Sequence, residues 1–120
     1  MLKEIENVKQ DTKNLFRRWF TDDYLDLIIW IEHSNKIFGF QLCYNKGNNE
    51  HSLTWDKKNG YRHNRVDDGE VSYRIKRTPI LVSDGYVPLK KIKREFLKRG
   101  KKIDKEILSF ILCKLENCLL

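Results

Sequence analysis

The sequence predicts an α+β domain: an N-terminal helix, an antiparallel meander of four or five strands, and a C-terminal helical hairpin. Three observations carry this expectation. The apolar period changes from about 3.6 to 2 at Tyr24 and returns to 3.6 at Pro88. The strand-like segments between them are joined by short polar turns, too short for the crossovers that parallel pairing needs. The chain has 120 residues, the size of a single domain (residues 1–120) with one modest core.

Leu2, Ile5, Val8, Thr12, Leu15, Phe16 and Trp19 recur every three or four residues, which predicts an amphipathic helix over 2–19. Leu25, Leu27, Ile29 and Ile31 then alternate with Asp26, Ile28, Trp30 and Glu32, as in a strand with one buried face. His33-Ser34-Asn35-Lys36 reads as a hairpin loop, and Ile37–Tyr44 as the return strand, with Phe38, Phe40, Leu42 and Tyr44 on one face. A turn at Gly47–Glu50 precedes a short strand, Ser52–Asp56. Asn59-Gly60 predicts a type I′ hairpin into Tyr61–Val66, because that turn needs positive φ at both central residues. Asp67-Asp68-Gly69 makes the next turn, and Val71, Tyr73 and Ile75 alternate as a fifth strand. Pro79 cannot donate to a ladder, so Pro79–Val82 is an edge strand or a connector. Pro88 starts a helix striped by Leu89, Ile92 and Phe96, and Gly100 supplies its left-handed stop. Asp104 is the expected N-cap of a last helix faced by Ile107, Leu108, Ile111, Leu112, Leu115 and Leu119.

Composition narrows the setting. Apolar residues make up 40% of the chain, too many for a disordered protein. No apolar run approaches the roughly 18 residues of a membrane span, so no membrane partner is expected. The charged N-terminus lacks the apolar core of a signal peptide. Three cysteines (Cys43, Cys113, Cys118) form no even framework, which points to a reducing, cytoplasmic location. Cys43 reads as a buried hydrophobe in a strand, and the spacing of Cys113 and Cys118 turns them to different helix faces.

The net charge is +7, and it is concentrated. Residues 86–106 hold nine basic and three acidic side chains. Lys90, Lys91, Lys93, Arg94, Lys98, Arg99, Lys101 and Lys102 surround the apolar stripe of the first C-terminal helix and form a candidate anion-binding face. Lysine outnumbers arginine 16 to 8 and alanine is absent, a compositional bias that by itself also produces solvated lysine surfaces. No zinc-finger spacing, helix-turn-helix pattern, RNP signature or glycine-rich phosphate loop is present. No cofactor is expected.

A second candidate is acidic. His63, Asp67, Asp68 and Glu70 are the densest group of reactive side chains and the candidate catalytic residues. Glu50, His51, His63, Asp67 and Asp68 are the candidate metal ligands, since carboxylates with imidazole hold Mg²⁺, Mn²⁺ or Zn²⁺ and activate water. Asp-Asp-Gly is also ordinary turn chemistry, and the flanking Arg62, Arg65, Arg74 and Arg77 could pair with these acids instead.

Phe40-Gln41-Leu42-Cys43-Tyr44, Leu53-Thr54-Trp55, Arg65-Val66-Asp67-Asp68-Gly69-Glu70 and Thr78-Pro79-Ile80-Leu81-Val82 together resemble a family of small uncharacterised bacterial proteins. The resemblance spans Trp19 to Gly85 and implies a bacterial, cytosolic protein, with no catalytic residue assigned. The leading functional expectation is therefore a small cytosolic interaction module whose basic face takes an anionic partner, a nucleic acid or an acidic protein. A metal-dependent hydrolase built on the Asp/Glu/His cluster is the alternative, and self-association through an exposed sheet face is the third.

Overall fold

The computed structural model describes residues 1–10, 14–47, 49–67, 80–83 and 87–118. Its centre is one antiparallel sheet whose strands lie side by side in chain order: β1 (Lys3–Glu4), β2 (Leu15–Thr21), β3 (Asp26–Glu32), β4 (Ile37–Tyr44), β5 (His51–Asp56), β6 (Gly60–Asp67) and β7 (Ile80–Ser83). Among the described residues, six of the seven strands are four residues or longer, against the four or five expected. Two helices, α1 (Leu89–Arg99) and α2 (Lys105–Glu116), follow the sheet as the hairpin the sequence predicts. The class is α+β.

The N-terminal helix does not form. Residues 15–21 join the sheet through seven register pairs with β3, from Leu15 opposite Glu32 to Thr21 opposite Asp26. Side chains within Leu-Phe-Arg-Arg-Trp-Phe-Thr suit a pleated surface, and Phe16, Arg18 and Phe20 share one face with period 2. Asp22 fixes the return, because its Oδ1 accepts the N–H groups of Tyr24 (2.8 Å) and Leu25 (2.7 Å). β1 pairs with only Thr21 and Phe20. Further along β2, the Gln10 side chain replaces a neighbouring strand: its Oε1 accepts Arg17 N–H (2.7 Å) and its Nε2 donates to Arg17 O (3.0 Å). That amide satisfies groups an open edge would offer to another chain.

Turn chemistry sets the remaining registers. Asn35 takes φ 68° in the β3–β4 loop, and Asn45, Gly47 and Asn49 all have positive φ between β4 and β5. The Asn59-Gly60 signal marks a hairpin of a different type from the one expected. Asp56 pairs with Gly60 across a three-residue loop, and Asp56 Oδ1 accepts the N–H groups of Lys58 and Asn59. Gly60 alone has positive φ, the arrangement of a tight turn followed by a left-handed bulge residue. Among the described residues β7 is the last strand of the sheet, in keeping with the edge-strand expectation for 80–82. The expected strand over Val71–Ile75 lies outside the described residues.

Strand alternation and register build the core. Phe20, Leu27, Leu42, Leu53 and His63 line up across five strands, and Arg18, Ile29, Phe40, Trp55 and Tyr61 form the next row. Leu27, Ile29, Phe40, Leu42 and Leu53 have no exposed surface, nor do Ile92 and Phe96 of α1 or Ile111 and Leu115 of α2. Each such side chain contributes roughly 1.5–3 kcal/mol on burial. Gly100 ends α1, but with φ −95° rather than in the left-handed region. Glycine is needed there for space, since a Cβ would lie 2.8 Å from Phe96 O and 3.3 Å from Ile103 Cδ1. Asp104 occupies the N-cap position of α2 without a side-chain capping bond. Its carboxylate instead accepts from Arg18 Nη1 (3.0 Å), while Glu4 takes the other side of that guanidinium at 2.8 Å.

Candidate functional site

α1 is built from strong helix formers, Leu-Lys-Lys-Ile-Lys-Arg-Glu-Phe-Leu-Lys-Arg, between Pro88 and Gly100. Ile92 and Phe96 face the sheet, so Lys90, Lys91, Arg94, Leu97 and Lys98 fall on the solvent side. Lys101 and Lys102 extend the exposed cations into the turn before α2. The helix has no acid in its first turn, and Lys90 and Lys91 sit where the macrodipole repels cations. Helix stability therefore does not account for them.

The eight predicted anion-binding residues divide by what they touch. Arg99 is committed to the fold: it donates to Glu95 Oε1 (2.9 Å), Asp22 Oδ2 (3.0 Å) and Asp23 Oδ1 (2.8 Å). It also lies 4.7 Å from the centre of the Tyr24 ring. Burial alone would lower its pKa, but these carboxylates outweigh that and raise it. Burial likewise pushes the Asp22 carboxyl up, yet the two backbone N–H groups and Arg99 hold it below its usual value. Lys93 reaches Glu116 at 3.5 Å, and Lys91 donates to Asn45 Oδ1 at 3.3 Å beside the Tyr24 ring. Lys90, Arg94, Lys98, Lys101 and Lys102 are exposed and make no ion pair among the described residues. Leu97, 46% exposed, lies among them, four residues after Lys93, three after Arg94 and four before Lys101. It falls off the Leu89–Ile92–Phe96 stripe, a signal readable in the sequence that the charge pattern overshadowed.

The second candidate cluster comes together only in part. His51 and His63 project from neighbouring strands onto the helix-covered face, where both are buried with Tyr44. The three rings stack nearly parallel, with centroids 5.3 Å apart for His51–His63, 5.8 Å for Tyr44–His51 and 6.0 Å for Tyr44–His63. Tyr44 Oη and His63 Nε2 share a hydrogen bond of 2.6 Å. His51 Nδ1 donates to the Asn49 carbonyl at 2.8 Å, which takes that nitrogen out of use as a metal ligand. Imidazole lone pairs lie in the ring plane, and planes only 14° from parallel do not converge on one ion. Among the described residues no group of three His, Cys, Asp or Glu side chains could hold a metal. Glu50 precedes β5 and its carbonyl accepts Val66 N–H at 2.9 Å, while Asp67 closes β6. Asp68 and Glu70 lie outside the described residues. Arg62 pairs with Asp56 (2.7 Å), an acid of the preceding turn.

Alternation separates Cys43 from both histidines: it pairs across the ladder with Asp26 and Ser52, on the sheet face opposite the helices. Burial, reinforced by Glu50 and Asp26, pushes its thiol up to about 12, which leaves it protonated and unreactive at neutral pH. Cys113 is exposed on α2, whereas Cys118 is buried just past the end of that helix, so the expectation that both lie on one helix holds for Cys113 alone. The face opposite the helices also carries half-buried Trp19, Ile28 and Trp30, with Gln41 donating to Thr54 across it (3.3 Å). No helix among the described residues is long and apolar enough to cross a membrane. No protein-family model, curated protein or solved structure matches the chain.

Proposed function

We propose that the protein is an interaction module that binds anionic partners, nucleic acid among them, through the solvent side of α1 and the Lys101–Lys102 turn. The observation that carries this reading is the division among the cations. Arg99 and Lys93 form ion pairs within the fold and the exposed Lys91 donates to Asn45, whereas Lys90, Arg94 and Lys98 on the solvent side of α1, and Lys101 and Lys102 in the following turn, are exposed with no ion pair among the described residues. Placing two lysines at the repelled end of a helix costs stability, and a bound anion offsets that cost. Four of the five exposed cations are lysines, point charges without the planar fork that reads a base edge. The binding is therefore electrostatic and independent of sequence.

The test is fluorescence anisotropy with labelled single-stranded and duplex DNA across a salt series. If all five cations meet phosphates of a duplex, log K falls against log salt with a slope of about −4.5, at roughly −0.9 per contact. The quadruple variant Lys90→Gln, Arg94→Gln, Lys98→Gln, Lys101→Gln reduces that slope to about −1. Absence of binding to either polymer at low salt removes nucleic acid from the partners; absence of binding to any polyanion, or an unchanged slope in the variant, sinks the proposal.

A further inference from the structure

Resting on the anion-binding reading of α1, we infer that its partner is the anionic surface of a lipid bilayer, with Leu97 as the apolar contact. Charge draws the helix to any polyanion, so the discriminating residue is the one without charge. Leu97 is 46% exposed and has Lys93, Arg94, Lys98 and Lys101 as its helical or following neighbours. Against a phosphate backbone this leucine loses water and gains nothing. At a bilayer the same geometry places the cations among headgroup phosphates and Leu97 against the acyl boundary.

The rest of the face agrees with this occupant. Lysine, which predominates here, is depleted at the centre of protein–protein interfaces, where aromatic residues and arginine prevail. The one aromatic side chain of α1, Phe96, is buried and cannot stack on a base, and the neighbouring Tyr24 ring already has Lys91 and Arg99 against it. The helix is 11 residues long, so its cations spread along about 16 Å, a length over which they can reach several headgroups at once. A helix in this position does not insert fully, because Ile92 and Phe96 on its other side are held in the core.

The experiment is co-sedimentation of the intact chain with vesicles of phosphatidylcholine alone and with about 30% phosphatidylserine. A duplex DNA titration runs in parallel. The native protein is expected to sediment only with the anionic vesicles. The quadruple cation variant should lose several hundred-fold in that affinity, at about fivefold per basic residue near the surface. Leu97→Ala should lose about fivefold on vesicles and nothing on DNA, since it removes half-exposed carbons that only the bilayer covers. Vesicle binding that ignores Leu97→Ala, or tighter binding to DNA or polyglutamate than to vesicles, overturns the lipid assignment and leaves the basic face standing. Binding to none of these probes overturns both.

Discussion

Replacing Arg99 with methionine separates an anion-binding arginine from one that ties the chain together. The side chain joins the C-terminal turn of α1 to the β2–β3 turn through Asp22 and Asp23, and to Glu95 on its own helix. Asp23 is 88% exposed, so its pair contributes little. Asp22 decides the magnitude, because its side chain is only 4% exposed. Removing one partner of a buried pair commonly costs 3–5 kcal/mol, and Asp22 keeps two backbone donors, which lowers the expected loss to about 2–3 kcal/mol. Methionine retains an apolar stem against Tyr24, so little of that loss is packing. For 120 residues the unfolding entropy is about 0.25 kcal/mol/K, and the melting temperature should fall by about 10 °C. Urea unfolding and thermal melts of the wild type, Arg99→Met, Asp22→Asn and the double variant give the coupling, expected at about 1 kcal/mol or more. Salt-dependent DNA binding should be unaltered in Arg99→Met at a temperature where it is folded. A stability loss below about 0.5 kcal/mol, or additive single effects, would refute the reasoning.

The same carboxylate sets an acid limit. Asp22 is held below its ordinary pKa in the folded state, so its contribution is full above the unfolded value, near pH 4, and disappears as pH falls through the folded one. Stability measured from pH 6 to 2 should show this loss in the wild type and a shallower one in Asp22→Asn. Gly39→Ala should destabilise by about 2 kcal/mol in urea, because the new Cβ would lie 2.5 Å from Trp55 O and 2.6 Å from Asp56 Cβ and force β4 from β5. Mn²⁺, Mg²⁺ or Zn²⁺ should leave the melting temperature unchanged to within about 1 °C; a rise that His51→Ala or His63→Ala abolishes would revive a metal centre.

The sheet interior and both helices were legible in the sequence because their signals are local. Leu25, Leu27, Ile29 and Ile31 alternate cleanly, and Leu89, Ile92 and Phe96 mark a stripe between a proline and a glycine. The N-terminus was not legible, since the apolar spacing from Leu2 to Trp19 also satisfies a helix. Pairing with β3 and the Asp22 turn decide the matter, and the ladder is a long-range property. The candidate site divides in the same way. The run of cations is visible in the sequence, but the engagement of Arg99 depends on Asp22 and Asp23, 77 and 76 residues away in the chain. His51 and His63 stand out by residue type, whereas Tyr44 joins them only once the β4–β5 and β5–β6 registers are known.

Strand order equals chain order throughout the sheet, and both helices come after it. A ribosome therefore releases each strand from β3 to β6 after the partner it pairs with, and the short loops between β2 and β6 let that part of the meander pair as it emerges. The apolar side formed by Leu27, Ile29, Phe40, Leu42 and Leu53 has no helical cover until Leu89–Glu116 has been made. During that interval the nascent sheet presents a greasy surface to its surroundings, and its protection depends on how soon the basic hairpin docks. Arg99 serves that docking step twice, with its guanidinium on the Asp22 turn and its carbonyl accepting Leu2 N–H at 2.9 Å. The helical hairpin thus closes back onto Leu2 and the β2–β3 turn, so that removing it would leave a paired sheet with a bare hydrophobic side, a species that aggregates rather than folds.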